Sequence, residues 1–200
     1  LWEKIEEWQW RKQDNAMARA LASYNFMTDT EAALDRMVEH EIETMILHEV
    51  GEAMAGELLG EQWRAMAAAV ARSKAEPIAR AVRDLLADCL STLPSLLERN
   101  NLPALHFYFA TFDAPRRQLF PQALQAYEHF LKHGDLDRLR RVARDGEEHW
   151  QATARALLAH YEKDPAGCAA SIEALLGDTR VHDRLAVCPL PVSASPHQKG

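Results

Sequence analysis

Glu41, His48 and Glu52 are the residues with which this chain could do chemistry. His48 follows Glu41 by seven positions and Glu52 follows His48 by four. At about 3.6 residues per turn, this sets the three side chains in a row along one side of a helix. An imidazole and two carboxylates so arranged offer nitrogen and oxygen ligands of the kind that hold iron, manganese or zinc. Such spacing is common, and the neighbouring residues make it notable. On a helical wheel the three fall near the middle of the apolar stripe of Leu34, Met37, Val38, Met45, Ala55, Gly56 and Leu59. Glu39, Glu43, Glu57 and Arg36 fall on the opposite face. Ionised groups on a buried stripe are costly unless they are paired, hydrogen-bonded or bound to a metal.

Other chemistries fail at their ligand count or geometry. His48-Glu49-Val50-Gly51-Glu52 lacks the second histidine of a zinc-protease HExxH motif. The paired Glu-x-x-His motifs of ferritin-like bundles are absent, and His40-x-x-Glu43 runs in reverse. No Gly-rich phosphate loop and no GxSxG occur, so there is no nucleotide cofactor motif. A plainer account of the row is an ion-pair network, in which Arg64, Arg80 or Arg83 from the following helices neutralise Glu41 and Glu52. His106, among aromatics, reads as packing.

The elements that must position these residues read as helices throughout. Trp2, Ile5, Trp8, Met17, Leu21 and Tyr24 recur at helical steps over residues 1 to 25, with Trp10 on another face. Thr28 or Asp29 caps the central helix, which ends near Gly60. A short helix follows from Glu61, with Trp63, Met66 and Val70 inward. Pro77 sits in the first turn of the next, whose stripe is Ile78, Val82, Leu85, Leu86, Cys89, Leu93 and Leu96. Asp84 and Asp88 lie at its margin, and Pro94 kinks or ends it. Leu105 to Phe112 has β propensity, but its setting favours a short aromatic helix. One helix starting at Asp113 carries Leu124, Tyr127 and Leu131. A long one from Leu136 to Lys163 carries Leu139, Trp150 and Leu157, with His149 and His160 on its flank. A short final helix spans 166 to 176. The expected fold is all-α, one compact bundle of six to eight helices over residues 1–176, with an extended tail over 177–200.

Composition narrows the setting. Two hundred residues that are 48% apolar can bury a core. A net charge of −7 argues against nucleic acid as a partner, and the basic run Arg138, Arg140, Arg141 and Arg144 reads as a solvated helix face. Three scattered cysteines make no disulfide framework and suit a reducing, cytoplasmic location. No apolar run approaches the ~18 residues of a membrane span.

Glu41-x6-His48 on an early core helix resembles the first ligand pair of the heme-oxygenase-like di-iron oxygenases. In that family a lone glutamate follows on a later helix, and a His-x3-Asp-x2-His run on a still later one. The resemblance implies that Glu128 is the lone glutamate and that His160-x3-Asp164 opens the run. Its last position here is Gly167, a departure that leaves one iron short of a ligand unless His149 or Glu52 supplies it. It further implies a heme-oxygenase-like fold and oxygen activation at a di-iron or di-manganese centre acting on a small molecule. The MILHEVGE and DCLSTLP stretches resemble a bacterial helical family that would add no function. Three readings stand. The first is a metal-dependent oxidoreductase with iron or manganese held by Glu41, His48, Glu52, Glu128, His149, His160 and Asp164. The second is a non-enzymatic interaction protein, with the N-terminal tryptophans as its partner patch. The third is a heme protein with His48 or His160 as axial ligand. The aromatic N-terminus makes a homodimer plausible.

Overall fold

A computed structural model describes residues 15–24, 26 and 28–175. The tryptophan-rich segment at the start and the tail from 177 lie outside the described residues, with the expectations placed on them. Among the described residues the regular structure is entirely helical, the all-α bundle that the sequence predicts.

Caps and breakers set the order of elements. Asn15 opens α1 (Ala16–Ala22), its side chain accepting the Ala18 N–H at 2.9 Å. Asp29 opens α2 (Thr30–Ala69) by accepting the Ala32 N–H at 3.0 Å. Hydrogen bonding carries α2 past Gly60, but that residue sits at φ 68°, ψ −167°, a region that is essentially glycine-only. The helix therefore turns where it is expected to end. α3 (Ala75–Ala87) passes directly into a π turn, Asp88–Thr92, and then α4 (Leu93–Glu98). Pro94 lies just beyond the π turn. A proline ring clashes with the carbonyl four residues back, and a wider turn relieves that crowding.

Asn101 caps α5 (Leu102–Thr111), so the aromatic stretch is helical as expected. The single helix expected after Asp113 is two, α6 (Ala114–Leu119) and α7 (Pro121–His133). Phe120 separates them at φ −127°, ψ 57°, because the residue before a proline is driven from the helical region. α8 (Asp137–Lys163) and α9 (Cys168–Leu175) complete the described chain.

The main core gathers the predicted stripe that runs from α3 into α4 and that of α8: Val82, Leu85, Leu86 and Leu93 against Leu139 and Trp150. A smaller cluster joins Leu21, Tyr24, Phe26 and Met37 beneath the start of α2. Along α2 the buried line is Ala33, Met37, Glu41, Gly51, Ala55, Leu59 and Trp63. This corrects the expected stripe: Val38 and Met45 are exposed, Met45 at 67%. The physical reason is backbone approach. At Gly51 a Cβ would lie 2.3 Å from the Ala87 carbonyl oxygen, so only glycine lets α2 close on α3 there. The helix turns its small residues inward and several large ones outward. No helix among the described residues is long and apolar enough to cross a membrane.

Candidate metal centre

The close approach at Gly51 brings two i,i+4 pairs face to face: His48 and Glu52 on α2, and Asp84 and Asp88 at the end of α3 and the start of the π turn. One ligand atom from each of His48, Glu52 and Asp84 lies within 4.8 Å of the others. His48 Nε2 is 3.5 Å from Glu52 Oε1. The three side chains are half-buried, with exposures of 29%, 28% and 19%. One side of the cluster therefore meets solvent.

Asp88 stands behind it. It is 1% exposed, and its Oδ2 accepts the Tyr108 hydroxyl at 2.9 Å and Arg116 Nη1 at 3.2 Å. Its Oδ1 lies 2.9 Å from His48 Nδ1. With a carboxylate acceptor at that distance, the proton belongs on Nδ1, which leaves the Nε2 lone pair for the cluster. A carboxylate behind a histidine in this way fixes the ring and its tautomer, the usual support of a metal-bound imidazole. The contact holds the His48 pKa above its ordinary value, chiefly through the hydrogen bond to Asp88 and against the effect of burial. Burial likewise pushes the Asp84 carboxyl up, partly offset by Arg83. Asp88 also opens a π turn, a distortion that recurs at functional sites.

Arg83 now occupies the cationic position. Its Nη2 is 2.6 Å from Glu52 Oε1 and 3.2 Å from Asp84 Oδ1. Of the three arginines considered from sequence, this is the one that reaches the row. Arg64 pairs with Glu61 and Arg80 with Glu76.

The other candidate ligands do not join the cluster. Glu41 is buried in the smaller core, where the Tyr24 hydroxyl donates to its Oε1 at 3.4 Å and its Oε2 makes no hydrogen bond. Glu128 is exposed on α7. His149 meets the Trp150 ring edge-on at 4.6 Å between centroids and lies 3.5 Å from the Thr153 hydroxyl. His160 is exposed in the last turn of α8. Asp164 is exposed, and its Oδ1 accepts the Gly167 N–H at 3.0 Å to close a turn. His106 is packed as expected, with Nδ1 2.8 Å from the Tyr127 hydroxyl and its ring stacked on Phe130. Within the basic run, Arg140 pairs with Asp137 and Arg144 with Asp145, as on a solvated face.

Sequence reasoning placed Asp84 and Asp88 only at the margin of a stripe. Their four-residue spacing, matching that of His48 and Glu52, was the available signal. No curated protein and no solved structure matches the chain. Residues 1–179 match the family described as Family of unknown function (DUF6866) C-terminal domain, and the chain belongs to that family.

Proposed function

We propose that this domain is a metalloprotein that binds one divalent ion, iron or manganese, between His48, Glu52 and Asp84 and presents it to a small-molecule substrate. The orientation of His48 carries this reading: Asp88 holds Nδ1 at 2.9 Å while Nε2 lies 3.5 Å from Glu52 Oε1, and Asp84 completes a group of three ligand atoms within 4.8 Å of one another. One imidazole and two carboxylates are a donor set that suits these metals. A bound ion would supply Lewis-acid or redox chemistry at the solvent-facing side. This chain's residues would do the rest. Asp88 orients the imidazole, and Tyr108 and Arg116 fix Asp88 in turn. Arg83 must swing away from Glu52 and Asp84 as the cation enters. The di-iron reading needs Glu128, His160 and Asp164 beside His48, whereas a single ion needs none of them.

A second reading has its own support. Arg83 already neutralises Glu52 and Asp84, as a structural ion-pair network would require. Elemental analysis of chelator-free protein, before and after reconstitution with Fe(II) or Mn(II), separates the two. The metal reading expects about one equivalent per chain, lost in His48→Ala and Glu52→Ala, with tighter binding in Arg83→Gln. No bound metal after reconstitution, with the three variants only lowering Tm, would leave the ion-pair network standing and remove the metalloprotein.

A further inference from the structure

Arg83 belongs to two sites at once. Its Nη2 donates to Glu52 and Asp84 in the candidate centre. The same side chain lines a cleft of about 200 Å³ between the end of α2 and α3. Trp63, Ala67, Val70 and Ala79 give the cleft an apolar wall. Its other charged residues answer each other, with Glu76 accepting from Arg80 Nε at 3.1 Å. Arg83 is the exception. Its Nε is shielded from solvent and has no hydrogen-bond partner, because both carboxylates of the centre sit on Nη2. A buried donor left without an acceptor is costly.

We infer that this cleft is the substrate subsite of the metal centre and takes a small organic carboxylate, held by the Nε–Nη2 edge of Arg83 with its apolar body against Trp63 and Val70. This role rests on the metal reading above, because entry of the ion is what frees Nη2. Glu52 and Asp84 then turn from the guanidinium to the ion, and Arg83 keeps the cleft that it already lines. Nε and Nη2 carry parallel N–H groups on one edge of the guanidinium, the fork that a carboxylate accepts with both oxygens. Charge points the same way. Two carboxylates against one guanidinium leave one negative charge in excess. A divalent ion reverses this to one positive charge in excess, which a monoanion balances. Size sets the rest of the ligand. The cleft is smaller than the roughly 300–1,000 Å³ of drug-sized sites. It suits a single ring or a short chain and is too small for a nucleotide or a peptide.

Calorimetric titrations of the 200-residue chain test this, first with Mn(II) and then with benzoate. Benzoate should bind the Mn(II)-loaded protein about tenfold more tightly than the metal-free protein, and by reciprocity should tighten Mn(II) binding by the same factor. Benzyl alcohol, similar in shape but uncharged, should not bind. Arg83→Gln should keep the metal and lose benzoate. So should Ala67→Phe, which fills the cleft from a half-buried position. Retained Mn(II) binding shows that each variant is folded. Loaded protein that takes no benzoate would overturn the assignment and leave the metal centre standing. Benzoate that still binds Arg83→Gln or Ala67→Phe would overturn it too, since the carboxylate would then sit on the ion or outside the cleft. A chain that binds no Mn(II) fails at the first titration, and the metal centre and its subsite fall together.

Discussion

Asp88 receives three donors on two oxygens at 1% exposure. An amide in its place can accept on only one of those atoms. Asp88→Asn must therefore release His48 or abandon Tyr108 and Arg116, although Asp88 itself touches no metal. Loss of such an outer carboxylate typically weakens metal binding 10–100-fold. Calorimetric titration with Mn(II) should show a drop of that order in Asp88→Asn, with the stoichiometry retained. Glu41 makes a different prediction at the same scale. Burial pushes its carboxyl pKa above the ordinary value, against the pull of Thr44, Tyr24 and His40. The folded state therefore holds the proton more tightly than the unfolded state. Below the unfolded pKa of 4.5 both states are protonated and nothing is lost; as pH rises from there to the folded value, stability falls. Glu41→Gln keeps the shape without ionising, so its Tm should exceed that of the unaltered protein at pH 7 and converge with it near pH 4.

The element that assembles the centre is the contact between α2 and the end of α3. Gly51 lies between His48 and Glu52, and the backbone of Ala87 lies next to Asp88. The approach that a side chain would block is thus the one that sets ligand against ligand. Gly51→Ala forces the two helices apart against backbone, which cannot rotate away as a side-chain tip can. Overpacking of this kind costs about 1–3 kcal/mol. In a domain of this size that corresponds to a Tm loss of roughly 2–4 °C for each kcal/mol. Thermal denaturation checks the loss, and metal titration of the same variant should show weakened binding, since His48 and Glu52 would be drawn away from Asp84.

At the scale of the molecule, one long helix serves two surfaces. Its small residues close on the core and the candidate centre, and several of its large residues face outward.

What the sequence by itself determined is what short-range physics controls. Helical composition, the Asp29 and Asn101 caps, the turn at Gly60 and the disturbance near Pro94 all depend on residues within a few positions of one another. His48 and Glu52 belong to the same class, because a four-residue step on a helix fixes their adjacency. Tertiary structure decided which side of α2 is buried. That helix carries apolar residues nearly all round, so its wheel has no unique inner face, and the outcome turned on where Gly51 and Ala55 allow backbones to meet. The same packing brought in Asp84 from α3 and Asp88 from the π turn that follows it. It left Glu41 in a separate core and Glu128, His149, His160 and Asp164 outside the cluster. Those relations join residues tens of positions apart, and the periodicity of each helix is silent about its neighbour.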